Sequence, residues 1–144
     1  MTIAARMHEI SAFQVMELMA RAKELERQGR DIVHMEVGEP DFPTPPPIVA
    51  AAQEFLATGR VFYTAALGLP ELRAAISRFY RERYGSEVPA ERIVITTGAS
   101  GALMLALGVL VDRDDEWLLP DPGYPCNANF VRLFEGRVRR LVTT

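Results

Sequence analysis

The sequence predicts an α/β fold: the beginning of a mostly parallel sheet with flanking helices, preceded by a helical N-terminal segment. Two observations carry this. Short β-branched runs alternate with longer stretches of helical periodicity, and strand, helix, strand, helix, strand at this spacing implies right-handed crossovers between parallel strands. The helical stretches are also punctuated by proline at their starts and glycine at their ends, the asymmetry that helix termini favour.

Taken in order, Ser11 followed by Gln14 reads as a capping box, with Ile10 and Val15 placed as its hydrophobic staple. It opens a helix over residues 12–28 whose apolar stripe is Val15, Leu18, Met19, Ala22 and Leu25, closed by Gly29. Ile32 to Val37 is short and β-branched and reads as a strand ending at Gly38. The prolines of the next stretch, Gly38 to Pro47, fix φ and remove donors, predicting a rigid extended loop. A second helix starts near Pro46 and ends before Gly59, burying Ile48, Ala51, Ala52, Phe55 and Leu56.

Leu69, Leu72, Ile76, Phe79 and Tyr80 keep helical spacing between Pro70 and Gly85, giving a third helix. Arg92 to Thr97 reads as a buried strand, residues 99–111 as a nearly all-apolar and therefore internal helix, and Glu116 to Leu119 as a further strand. Asn127 to Phe134 reads as a helix capped by Gly136, and Val138 to Val142 as the last strand. Residues 141–144 carry no stop signal, as expected of a chain that ends inside or just after a strand. Two or three parallel strands would leave an edge and a face uncovered, so an incomplete module is expected.

Composition narrows the functional classes. A hydrophobic content of 49% with 24% charged residues is that of an ordinary soluble domain. The net charge is −3 and the basic residues are scattered, which argues against nucleic acid or an acidic membrane as partner. Cys126 is the single cysteine, so neither a disulfide framework nor a zinc cluster is expected. The first ten residues lack a signal-peptide core, and the longest apolar run, Ala102 to Val111, is too short to span a bilayer. A soluble protein of the reducing cytoplasm is expected.

The most informative local feature is Ile93-Val94-Ile95-Thr96-Thr97-Gly98-Ala99-Ser100-Gly101-Ala102-Leu103, a strand that leads through small residues into a helix. Free N–H groups and the dipole at such a helix start favour an anion, and small side chains let a phosphate approach. A tight turn that merely needs glycine is the competing reading. A Walker-type phosphate loop fails for want of the Gly-Lys-Ser/Thr ending. A dinucleotide-binding opening is also disfavoured, because Gly101-Ala102-Leu103 stands where the second glycine pair belongs and the run lies far from the first strand.

The segments VGEPDFPTP, FYTAALGLPELRAAI, IVITTGASGAL and LLPDPGYP stand in this order along the chain. Together they resemble the pyridoxal-phosphate (PLP) dependent aminotransferases of fold type I, the aspartate aminotransferase-like class I and II group, over essentially the whole length. The resemblance implies a cofactor site in which the turn Gly98, Ala99 and Ser100 binds the phosphate, the Ala99 and Ser100 N–H groups and the Ser100 hydroxyl donating. It implies that Tyr124 stacks on the pyridine ring, that Tyr63 reaches the cofactor phosphate of the neighbouring subunit of a homodimer, and that Gly38 lies beside the substrate carboxylate. Gly68 and Arg73 match a stretch read as structural. Asp114 stands where the family usually has glycine, and Gly123 where a small hydroxyl residue or alanine is frequent. Cys126 reads as a packed thiol and His34 as a satisfied strand residue.

The resemblance further implies a reaction that needs a lysine to form a Schiff base with PLP and to shuttle a proton. The only lysine is Lys23, on the first predicted helix, where an exposed side chain is the natural reading. The family's other ring- and carboxylate-binding residues belong C-terminal to the stacking aromatic. No catalytic residue is therefore assigned, and the chain is expected to be a truncated N-terminal portion: residues 1–45 from the small domain or arm, residues 46–144 the first part of the large PLP-binding domain. The complete enzyme would move an α-amino group from an amino acid to a 2-oxo acid by a ping-pong route, whereas the chain alone is expected to be inactive. The alternative is a non-catalytic module that pairs with a full-length aminotransferase subunit.

Overall fold

The computed structural model describes residues 2–143, so Thr144 of the predicted terminal run lies outside the described residues. In chain order the elements are α1 (Gln14–Arg27), α2 (Pro46–Ala57), α3 (Pro70–Tyr84), α4 (Gly98–Leu110), β1 (Glu116–Asp121), α5 (Pro125–Leu133) and β2 (Arg137–Val142), with short 3-10 turns at Ala5–Glu9 and Ala90–Arg92. The chain divides into two compact units, Met1–Pro40 with Leu103–Thr144, and Asp41–Ala102.

The first unit is built on a β-α-β crossover. β1 and β2 pair in parallel, with Glu116 opposite Arg137 and Asp121 opposite Val142, and α5 connects them. The fold is α/β, as the alternation predicts. Its core is small: Val131 is 1% exposed, and Leu107 and Ala128 are buried with it. Two glycines let the layers close. A Cβ on Gly136 would stand 2.8 Å from Val111 Cγ1 and 2.9 Å from Val131 Cγ1, and one on Gly108 would stand 3.2 Å from the Phe134 ring.

Gly136 is therefore a packing residue, and the predicted cap of α5 falls one place earlier. Glu135 takes the left-handed conformation at φ 64°. The Glu135 N–H donates to the Arg132 carbonyl and the Gly136 N–H to the Val131 carbonyl, the paired bonds of a Schellman motif. The Glu135 carboxylate is anchored by Arg113 at 2.9 Å. Asp114 is also left-handed, at φ 71°, which gives a physical reason why glycine suits that place. Its carboxylate meets Arg137 at 2.8 Å.

α1 ends as predicted, with Gly29 left-handed at φ 85° and the Arg30 N–H donating to the Leu25 carbonyl. Its start differs. The N-cap is Phe13, no side chain caps the helix, and the Ser11 carbonyl instead accepts from Asn129 Nδ2 at 2.8 Å. The predicted capping box does not form, because the helix begins at Gln14 and Ser11 lies two residues before its N-cap. Along the stripe Val15, Met19, Ala22 and Leu25 are half-buried, but Leu18 is 60% exposed.

The predicted strand at Ile32 to Val37 is not a strand. β-branched residues favour extended backbone, but a strand exists only where a neighbour completes its ladder. Here side chains hold the segment: His34 Nδ1 lies 2.7 Å from Glu36 and Nε2 2.9 Å from Glu26 on the last turns of α1. His34 is thus satisfied, by two carboxylates rather than by a sheet.

In the second unit α2 and α3 start on prolines, Pro46 and Pro70, and are followed by left-handed glycines, Gly59 and Gly85, as predicted. α3 packs on the Ala90–Arg92 turn, and Arg73 Nη1 donates to the Ala90 carbonyl at 3.1 Å. Gly68, at φ 92°, allows the closest approach: a Cβ there would lie 2.4 Å from Ile95 Cγ1. Gly68 and Arg73 are structural, as read. The Ile95 N–H donates to the Leu67 carbonyl, and this single bond replaces the ladder expected for residues 92–97, which form no strand. Ile48, Phe55 and Leu56 on α2 are exposed, contrary to prediction, because no other element of this unit packs against them. α4 departs likewise from an internal helix: Leu107 is buried, but Val109 is 84% exposed.

Candidate functional site

The strand-to-helix motif folds into a turn shaped by its threonines and glycines. The Gly98 N–H donates to the Thr96 carbonyl at 2.9 Å, closing a three-residue turn about Thr97. The Thr96 hydroxyl in turn donates to the Gly98 carbonyl at 2.9 Å. Gly98 sits at φ 78°, where other residues are strained, and nothing lies within 4 Å of a Cβ built on it. From this turn α4 departs, and its first N–H groups have no intrahelical acceptor.

No acceptor among the described residues takes the N–H of Ala99 or Ser100, and the Ser100 hydroxyl is likewise without a partner. Both residues are exposed. No charged residue occurs between Ile93 and Val111, so within that stretch an anion would be met by oriented N–H groups and the helix dipole. This donor set fits a phosphate. The Gly98 N–H is engaged inside the turn, and the N–H groups left without an acceptor are those of Ala99 and Ser100. The sequence reading assigned no role to Thr96. A threonine two residues before a glycine is a signal for such a side-chain to backbone bond.

Tyr63 lies in the same unit, in the irregular stretch before Gly68, and is fully exposed at 108%. It touches none of the turn residues. Gly38 and Tyr124 belong to the first unit. Gly38 is exposed with open space where a Cβ would project, so backbone and a small ligand can meet there. Tyr124 is the N-cap residue of α5. Its ring packs edge-on against Phe13 with centroids 5.7 Å apart, which orients it while leaving it 52% exposed.

The neighbouring Cys126 thiol raises the Tyr124 phenol above its ordinary pKa of 10.0. The adjoining Gly123 has no latitude: a Cβ there would lie 2.5 Å from the Pro120 carbonyl oxygen. Alanine or serine at that position would need the loop to move.

Residues 30–144 match the family described as aminotransferase class I and II. The chain belongs to this family. Among its curated relatives, a (5-formylfuran-3-yl)methyl phosphate transaminase of Methanocaldococcus jannaschii is 40% identical over 130 residues, covering 90% of this chain and 35% of that protein. An aspartate aminotransferase of Thermotoga maritima is 41% identical over 120 residues, covering 83% and 32%. A crystal structure of an aminotransferase from Mycobacterium tuberculosis superposes on all of this chain with a TM-score of 0.93 at 35% identity, and 37% of that protein is covered. The chain thus spans about a third of the length of these relatives.

Proposed function

We propose that this chain is the cofactor-phosphate-binding portion of a PLP-dependent aminotransferase that moves an α-amino group from an amino acid to a 2-oxo acid by a ping-pong route. The observation that carries it is the Gly98 to Ser100 turn, with two N–H groups and a hydroxyl unengaged at the start of α4. Family membership supplies the chemistry that such a turn would serve.

Ala99 and Ser100 hold the phosphate, Gly98 leaves room for it, and Tyr124 presents a neutral aromatic face to the ring. When bound, the cofactor supplies an aldehyde that accepts the amino group and a ring that withdraws electrons. Gly38 admits the substrate carboxylate next to backbone. Full exposure of Tyr63 supports its serving the neighbouring subunit of a homodimer, where its phenol donates to the phosphate. In this reading residues 1–45 belong to the small domain or arm and residues 46–144 to the large domain, in a cytoplasmic enzyme.

The 144 residues alone do not turn over, because aminotransfer needs an amine that bonds the cofactor and shuttles the proton. Lys23 lies in the helical stretch of α1, exposed, and does not serve. The test is to incubate the chain with PLP, an amino acid and a 2-oxo acid, then reduce with borohydride. We expect no transamination and no stable adduct on Lys23, together with PLP binding that inorganic phosphate competes away. A borohydride-reducible adduct on Lys23 accompanied by turnover overturns the assignment of Lys23, and binding indifferent to phosphate overturns the turn's role.

A further inference from the structure

The geometry points to Thr96 as a positioning residue for the cofactor phosphate, an inference that rests on the reading of Gly98 to Ser100 as the phosphate turn. Thr96 need not touch the phosphate. Its two polar groups clasp Gly98 from both sides: the carbonyl accepts the Gly98 N–H at 2.9 Å, and the hydroxyl donates to the Gly98 carbonyl at 2.9 Å. The clasp fixes the peptide units on both sides of Gly98, where a glycine would otherwise sample a wide range of φ and ψ.

Two consequences follow from the pairing. The Gly98 N–H points into the turn, so the next two N–H groups, on Ala99 and Ser100, are the first that face outward without a partner. Their direction is set before any anion arrives, and donors already oriented need not be ordered on binding. The first turn of α4 also closes on the threonines. A Cβ on Gly101 would lie 3.1 Å from Thr97 Oγ1 and 3.5 Å from Thr96 Cβ, so Gly101 gives the threonine pair its room.

The test compares PLP with pyridoxal, which lacks the phosphate, as noncovalent ligands of the purified chain. Amide shifts of Ala99 and Ser100 in the ¹⁵N-labelled protein serve as readout. We expect the wild type to bind PLP more tightly than pyridoxal. Thr96→Val should lose about tenfold of that advantage, the worth of one oriented hydrogen bond, with pyridoxal affinity unchanged. Thr96→Ser should restore it, and Thr97→Val, whose hydroxyl makes no bond to Gly98, should leave it intact.

If the wild type does not prefer PLP, the phosphate-turn reading fails and Thr96 falls with it. If the wild type prefers PLP and Thr96→Val prefers it equally, Thr96 alone is overturned and the turn stands. Should Thr96→Val fail to fold, hydrogen exchange of the wild type decides. The clasp predicts a Gly98 amide protected at least tenfold over those of Ala99 and Ser100, and equal exchange at the three overturns it.

Discussion

A single methyl group tests the tightest approach in the second unit. At Gly68 a Cβ would stand 2.4 Å from Ile95 Cγ1 and 2.6 Å from Ile95 Cβ, at a φ of 92°. The neighbour is the branched base of a side chain and cannot swing aside. Gly68→Ala is therefore expected to destabilise this unit by about 3 kcal/mol, combining overpacking with left-handed strain. Urea unfolding followed by circular dichroism measures it, and a change below about 1 kcal/mol contradicts the packing described.

His34 carries the pH dependence at this scale. A carboxylate only accepts hydrogen bonds, so a ring with Glu36 on one nitrogen and Glu26 on the other is fully bonded only as the imidazolium. Hydrogen bonding to Glu36, then to Glu26, raises the His34 pKa above 6.5, and hydrogen bonding to His34 lowers that of Glu36 below 4.5. The histidine's contribution is complete below pH 6.5 and is lost as pH rises through its raised value. That of Glu36 is complete above pH 4.5 and is lost as pH falls through its lowered value. Both act together between pH 4.5 and 6.5. An NMR titration of His34 should give a midpoint above 6.5 that Glu36→Gln lowers; a midpoint unmoved by that substitution removes the pair.

Among elements, the β1-α5-β2 crossover stands or falls on Val131, the most buried side chain among the described residues. Val131→Ala removes two methyl groups, one of them against Gly136, and should cost about 2 kcal/mol from lost burial and the cavity left behind. The cross-strand pair of Arg140 with Asp121, 3.4 Å apart and exposed, should contribute less than about 1 kcal/mol. Arg140→Ala and Val131→Ala, compared by denaturant titration, should therefore differ clearly, and equal costs would mean that the surface pairs rather than the core hold the sheet.

The same element scale shows what a sequence carries. α2 and α3 were legible because a proline at the first turn and a glycine after the last act locally, whatever surrounds the helix. Ile32 to Val37 and Arg92 to Thr97 were misread because β-branching reports only a willingness to be extended, and the ladder depends on a partner distant in sequence. Gly136 shows a subtler failure: a glycine past a helix end signals a cap, yet here it clears space for Val111 and Val131, and Glu135 takes the left-handed place. At the candidate site, the small residues and helix start were legible from Thr97 to Gly101. The Thr96 clasp was legible only in part: a threonine two residues before a glycine signals a side-chain to backbone bond, but not which backbone group it takes.

For the whole chain, the distribution of apolar surface makes the last prediction. On α2, Ile48, Phe55 and Leu56 are exposed, and on α4 so are Leu105, Val109 and Leu110. These two helices carry no charge in α4 and one, Glu54, in α2, so little keeps their faces in water. Exposed apolar side chains on a helix face with so little charge associate unless they are covered, and in the purified chain the available cover is another copy. Light scattering on a sizing column should therefore give a mass above 16.0 kDa that grows with concentration, and a hydrophobic dye should fluoresce on binding. Because the attraction is apolar, sulfate should strengthen the association, whereas a charge-driven contact would weaken with salt. Placing glutamate on the outer face of α4, as in Val109→Glu, should lower the mass and the dye signal without changing the helical circular dichroism. A monomer at every concentration with no dye binding would mean that these faces are covered within the chain.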